Sequence, residues 1–222
     1  MGPDRVIIAD DHPLFRAALR QTLTAENPRI VIDEAGDLEE LRAALAAEAA
    51  CDLILLDLKM PGVRGFSGLL LLRAEHPEVP VMIVSAVEEA PVVRRAFELG
   101  AAGYLSKSLG PAAIRSAIAT VLAGEIFVPE GISLEAPAAE ATLLRRLASL
   151  TPQQLRVLMM LRDGLMNKQI AYELAISEAT VKAHVSAILQ KLGVDSRTQA
   201  VIAAARLDEE AADSFTASEE AG

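Results

Sequence analysis

Over the first 125 residues, short apolar runs alternate with longer stretches whose apolar positions recur every three or four residues. The runs at 6–9, 30–34, 53–56, 81–84 and 103–105 are strand candidates, since a strand covered on both faces keeps no polar alternation. The intervening stretches at 13–24, 38–48, 66–75, 91–99 and 111–123 have helical periodicity. Asp37 is placed to cap the second helix, with Glu39 and Glu40 at its positive end. Gly100 and Gly124 follow helical runs, where a left-handed cap is common. This repeat predicts an α/β unit built on a doubly wound sheet of five parallel strands.

The pattern loosens from 126 to 148 around Pro129, Gly131 and Pro137, which marks a linker whose Ala-rich part can form a short helix. Four short helices follow. Thr151, Pro152, Gln153 and Gln154 form a capping box with proline at the first helical position. Asn167 is read as the cap of a helix ending at Leu174, and Ser177 as the cap of one ending at Leu192, closed by Gly193. Ser196 and Gln199 make a second capping box, opening a helix that runs to about Arg206. The domain division is therefore 1–125, a linker at 126–148, an all-α four-helix unit at 149–206, and an acidic tail at 207–222 expected to be disordered.

Charge changes how the second unit is read. The whole chain carries −10, which argues against a nucleic-acid partner. Divided, residues 1–148 carry −7, residues 149–206 carry +3 and the tail carries −6. Phosphate neutralisation is local, so the basic block decides. Within it, the tight turn Ala175, Ile176, Ser177 separates two helices whose apolar positions (Ile170, Val181, Val185, Ile188 and Leu192 among them) form a small core. The opposite face carries Lys182, Ala183, Ser186 and Gln190, with His184 nearer the edge. Such a face is often only solvated; with the short turn and the basic balance it reads as a recognition helix for the major groove. No apolar run reaches the length of a membrane span, no signal-type segment opens the chain, and Cys51 has no partner for a disulfide. A cytoplasmic protein with no membrane contact is expected.

Candidate chemistry lies at the ends of the strands. Asp10 and Asp11 follow the first run, Asp57 the third, Ser85 the fourth and Lys107 the fifth. Open parallel sheets gather functional groups at the carboxyl ends of their strands, so these groups converge. Taken singly, the Asp pair is an ordinary helix cap, Ser85 a turn residue and Lys107 a solvated one. Asp57 is more telling, because a carboxylate at a buried strand end before Pro61 and Gly62 is unusual. Three carboxylates so close repel one another unless a cation lies between them, and Mg²⁺ suits such oxygen ligands. That ion, Lys107 and the Ser85 hydroxyl together suit a phosphoryl group arriving on an aspartate.

These motifs resemble those of two-component response regulators. The first 125 residues are similar to a receiver domain, and about 200 of the 222 residues are similar to the NarL/FixJ family with its LuxR-type helix-turn-helix domain. The resemblance implies a flavodoxin-like receiver fold, with Asp57 as phosphoacceptor. It implies that Asp10, Asp11, Asp57 and the Lys59 backbone carbonyl hold Mg²⁺, Asp11 more directly than Asp10. Lys107 becomes the phosphate-pairing lysine, Ser85 the switch hydroxyl and Tyr104 the switch aromatic, filling space opened when the Ser85 loop moves toward a phosphoryl group. Lys182, Ala183 and Ser186 face the groove, and Lys168, Thr180, His184 and Lys191 are phosphate contacts, His184 being alternatively a packing residue. The implied partners are a sensor histidine kinase docking at Leu14, Phe15 and Ala18, promoter DNA, RNA polymerase, and a second copy through Val201, Ala204 and Ala205 once active. The receiver is expected to cover Lys182 in the resting state, with the linker as hinge.

Three departures stand out: Ser108 follows Lys107 where many receivers have proline, the loop at 63–68 is glycine-rich, and Leu155 stands where the family commonly has glutamate. Two other classes of function compete. A Mg²⁺-dependent phosphatase or phosphotransferase of the haloacid-dehalogenase type needs a second carboxylate two residues after the nucleophile, where this chain has Lys59. A DNA-binding protein with a non-phosphorylated receiver has no use for so complete a pocket. The reading is therefore a regulator whose only catalysis is its own phosphorylation and dephosphorylation.

Overall fold

The computed structural model describes residues 4–25, 27–47, 50–134 and 138–205. Five parallel strands, β1 (Arg5–Ala9), β2 (Val31–Ala35), β3 (Leu53–Asp57), β4 (Val81–Ser85) and β5 (Gly103–Ser106), form one sheet in the order β2-β1-β3-β4-β5. The connecting helices are α1 (Pro13–Thr24), α2 (Leu38–Leu45), α3 (Ser67–Glu75), α4 (Ala90–Glu98) and α5 (Pro111–Leu122). Strand side chains alternate between two helical layers. Val6, Ile8, Leu55 and Val84 pack with Leu19 of α1 and Ile118 of α5. Ile7, Ile54, Leu56 and Ile83 pack with α2, α3 and α4. Burial on both faces is why β1, β3, β4 and β5 lack polar alternation, whereas the edge strand β2 leaves Val31 and Glu34 exposed.

Strand and helix bounds differ from the sequence expectation by a residue or so, except that α2 ends at Leu45 rather than at 48. Asp37 caps α2 as expected, its carboxylate accepting from Glu40 N at 2.8 Å. The segment after α5 is less loose than expected. Phe127 bridges Gly103 in parallel fashion and exchanges backbone hydrogen bonds with Ala102 and Tyr104, extending the sheet beyond β5.

The second unit contains α6 (Ala138–Ala148), α7 (Pro152–Arg162), α8 (Asn167–Glu173), α9 (Glu178–Leu192) and a further helix, α10, over 197–205. The linker was expected to carry at most a short helix. Instead α6 spans three turns and buries Leu144 and Leu147 in the same core as Leu158, Val181, Ile188 and Leu192. The Thr151 capping box forms, and Ser177 caps α9 through Thr180 N at 3.0 Å. Asn167 is not a cap. Met166 takes that position, Gln169 reaches back to its N–H, and Asn167 instead accepts from Arg197 at 3.3 Å. Leu155 is a core residue, 1% exposed. Arg206 and the acidic tail lie outside the described residues.

Helix α3 packs on α6 and α7, and α4 on α6, so one apolar cluster runs from the sheet into the second unit. Polar bonds frame that contact: Arg64 meets Asp163 at 3.0 Å, and Glu75 accepts from Arg156 Nε at 2.8 Å and Arg42 at 3.3 Å.

Candidate functional site

The parallel register brings the strand ends level. Asp57 closes β3, pairs in register with Val84 of β4, and lies one strand from Ser85, which pairs with Ser106 of β5. Asp10 follows β1 directly and continues its ladder through Asp10 N to Ala35 O at 3.0 Å. Asp10, Asp57 and Ser85 are buried. Lys107, one residue past β5, reaches over the edge and places its ammonium 2.7 Å from Asp10 Oδ2 and 2.9 Å from Asp57 Oδ2. The ring of Phe15 lies 5.0 Å from that ammonium, within cation–π range. Phe15 is thus half-buried at the pocket, while Leu14 and Ala18, its expected companions in kinase docking, are exposed on α1.

The electrostatics follow from burial. Desolvation pushes the Asp57 carboxyl above the usual carboxylate range; the hydrogen bond and charge of Lys107 pull against that, and Asp10 adds to it. Lys107 is held above its ordinary value: burial opposes its charge, but Asp10 and Asp57 outweigh burial. Asp57 Oδ1 accepts from Lys59 N at 3.1 Å, so Lys59 stands at the rim with its backbone.

Ligand atoms of Asp10, Asp11, His12 and Asp57 lie within 4.8 Å of one another. The three carboxylates are hard oxygen donors, and a small divalent cation fits among them. Asp10 Oδ2 and Asp11 Oδ1 are buried, and their nearest cationic or ring partners are Lys107 Nζ and His12 Nδ1. His12 is absent from the sequence reading, although it adjoins the acidic pair. Its Nδ1 lies 2.8 Å from Asp11 Oδ1 and 3.2 Å from Asp10 Oδ1, which makes it a hydrogen-bonding neighbour of the oxygen set.

Tyr104 is buried, and its hydroxyl donates to Val87 O at 2.7 Å. Burial raises the phenol well above its ordinary pKa. Ser85 Oγ accepts from Val87 N at 3.2 Å, and Ser85 O accepts from Lys107 N at 2.8 Å. Among the described residues no peptide bond is cis, the Lys107–Ser108 bond included.

In the second unit, the turn between α8 and α9 carries Ala175 at φ 52°, a left-handed conformation that swings α9 across α8. Lys182, Ala183, Ser186 and Gln190 share an exposed face of α9, and Lys168 and Thr180 are exposed nearby. His184 is half-buried. Lys182 pairs with Glu178 one turn earlier at 3.2 Å. Lys191 is spoken for by its own fold: its ammonium donates to Ser149 O at 2.8 Å, at the far end of α9 from Lys182. The receiver does not cover the Lys182 face, because α3 and α4 meet α6 and α7 instead. The expected pairing surface on α10 also changes. Ala204 is fully buried in the unit's own core and Val201 packs against it, leaving Ala205 half-buried and Ile202 exposed.

A strand-end acidic pocket joined to a capped, outward-facing reader helix defines a class of switch, a receiver coupled to a helix-turn-helix. The chain belongs to the response regulators of this type. It matches the response regulator receiver domain over residues 6–119 and the luxR family of bacterial regulatory proteins over residues 148–204. It is 42% identical over 214 residues to the glycerol metabolism activator of Pseudomonas putida, covering 92% of this chain and 96% of that one. It is 34% identical over 204 residues to the nitrate/nitrite response regulator protein NarL of Escherichia coli K12, covering 90% and 94%. Its fold is similar to the RcsB response regulator of Salmonella typhimurium, with a TM-score of 0.55 at 23% identity, covering 90% and 97%. The protein is a phosphorylation-controlled transcription regulator. Among the described residues no helix is long and apolar enough to cross a membrane.

Proposed function

We propose that Asp57 is the phosphoacceptor and that a sensor histidine kinase is the donor. The observation that carries this is the Lys107 ammonium shared by Asp10 and Asp57, a preset counter-charge beside a buried carboxylate. An Asp57 oxygen attacks phosphorus, the P–N bond to the donor imidazole breaks, and the imidazole nitrogen keeps the electron pair. Asp10, Asp11, Asp57 and the Lys59 carbonyl would hold Mg²⁺, which supplies neutralisation of the phosphoryl charge. Lys107 pairs with a phosphoryl oxygen, and Ser85 gives up its bond with Val87 N to donate to another. The protein acts on itself and turns over no other substrate.

The reader half contacts promoter DNA from the cytoplasm. Lys182, Ala183 and Ser186 enter the major groove; Lys168, Thr180 and His184 meet phosphates. An active homodimer presents two such helices, with Ile202 and Ala205 as the α10 positions open to a second copy. The relative named as an activator favours activation as the outcome, with RNA polymerase as a further partner. The test is mass spectrometry after incubation with Mg²⁺ and acetyl phosphate. One phosphoryl group is expected, and none in Asp57→Asn; full labelling of that variant overturns the assignment.

A further inference from the structure

A polar cluster beside the pocket has no part in the phosphoacceptor chemistry. Glu88 Oε1 accepts from the hydroxyls of Ser106 and Ser108, the second at 2.7 Å. The two hydroxyl oxygens are 2.8 Å apart, and Ser108 N donates to Ser106 Oγ at 3.1 Å. The two hydroxyls hold Glu88 below the usual carboxylate range, Ser106 more than Ser108. These serines flank Lys107 on either side, and Ser108 occupies the position where many receivers have proline.

Glu88 belongs to the loop that leaves β4 at Ser85 and enters α4 at Ala90. That loop is tied to β5 at two inner points, Ser85 O to Lys107 N and Val87 O to the Tyr104 hydroxyl. Glu88 closes it at the outer end, one residue beyond the carbonyl that holds Tyr104. Any movement of Ser85 toward a phosphoryl oxygen pulls on the same four-residue segment. A proline at 108 would lack the N–H that Ser106 accepts and the hydroxyl that Glu88 accepts.

We infer that Glu88, Ser106 and Ser108 form a clasp that positions the Ser85 loop, and with it Tyr104 and Lys107, for the phosphoryl group. The inference rests on Asp57 being the phosphoacceptor. The clasp holds the loop over the pocket with Tyr104 inside, which keeps water from the aspartyl phosphate. Glu88 is a positioning residue: it touches neither Asp57 nor Lys107's ammonium.

The test uses the full chain as Glu88→Ala, Glu88→Gln and Ser108→Ala. Three quantities are measured: the lifetime of the phosphoryl group on Asp57, amide hydrogen exchange at Val87 and Lys107, and thermal unfolding. Glu88→Ala should shorten the lifetime several-fold and raise exchange at both amides about tenfold, what one hydrogen bond contributes, with unfolding barely moved. Glu88→Gln keeps an acceptor and should restore most of both. Ser108→Ala, an exposed position, should give a smaller change in the same direction, and adding it to Glu88→Ala should add nothing. Unchanged lifetime and exchange in Glu88→Ala overturn the clasp. Failure of the unaltered protein to take a phosphoryl group at Asp57 overturns the phosphoacceptor reading instead, and the exchange measurement then still decides whether the clasp holds the loop.

Discussion

Replacing Lys107 by methionine removes the one ammonium that Asp10 and Asp57 share while keeping most of its stem. Both carboxylates are nearly fully covered, with side chains 2% and 3% exposed, and Lys107 itself is 18% exposed. Removing one partner of a buried ion pair costs about 3–5 kcal/mol. The low end, about 3 kcal/mol, applies here because Lys107 keeps some solvent. Lys107 has its pKa raised, so its contribution is whole below about 10 and fades only in strong alkali. Asp57 also has its pKa raised, chiefly by burial, so the native state keeps a proton that the unfolded chain releases. Stability therefore falls as pH climbs from the ordinary carboxylate range through that raised value. Losing Lys107 lifts Asp57 further, so the deficit of Lys107→Met is larger at pH 8 than at pH 5. Urea unfolding followed by circular dichroism should show the midpoint at pH 8 lowered by about 1–2 M for a slope near 2 kcal/mol per M. Millimolar Mg²⁺ should return part of the loss. An unchanged midpoint at pH 8, or a deficit larger at pH 5 than at pH 8, would refute the shared-ammonium reasoning.

Tyr104→Phe leaves Val87 O buried without its hydroxyl partner and should cost about 1–2 kcal/mol in thermal unfolding; no loss would mean that the carbonyl finds another donor. Lys182→Ala should weaken DNA binding by about 1–3 kcal/mol and blur one base position if the side chain reads a base edge, measured by titration against a set of substituted sites. Uniform weakening across those sites would make Lys182 a phosphate contact. A fragment beginning at 138 should fold and bind DNA without phosphorylation, more weakly as salt rises. One beginning at 149 loses Leu144 and Leu147 from its core and should be less stable by several kcal/mol, about what deleting buried leucines costs. Equal melting temperatures for the two fragments would show that α6 is dispensable.

The sheet and most of the pocket were legible in the sequence, because both depend on local signals. A strand buried on both faces must be apolar throughout, so each carboxylate, hydroxyl or ammonium that ends a run announces a strand end. Four such ends in a parallel sheet have only one place to meet, and Asp10, Asp57, Ser85 and Lys107 come together on that logic alone. Ser177 and Thr151 were equally readable, since a cap needs only its own helix.

What the tertiary structure decided concerns side chains with more than one available partner. Asn167 can cap a helix, but Arg197, thirty residues away, draws its side chain off. Lys191 has the charge for a phosphate yet meets the Ser149 carbonyl. Ala204 has the small size of a packing surface, and the reader's own core takes it. Tyr104 is inside because Val87 offers it an acceptor, and the reader face is open because α3 and α4 find α6 and α7 rather than α9. Each outcome is a choice between partners that lie far apart in the chain. Hydrophobic periodicity is blind to such choices, because it reports which face of an element is buried and not what it is buried against.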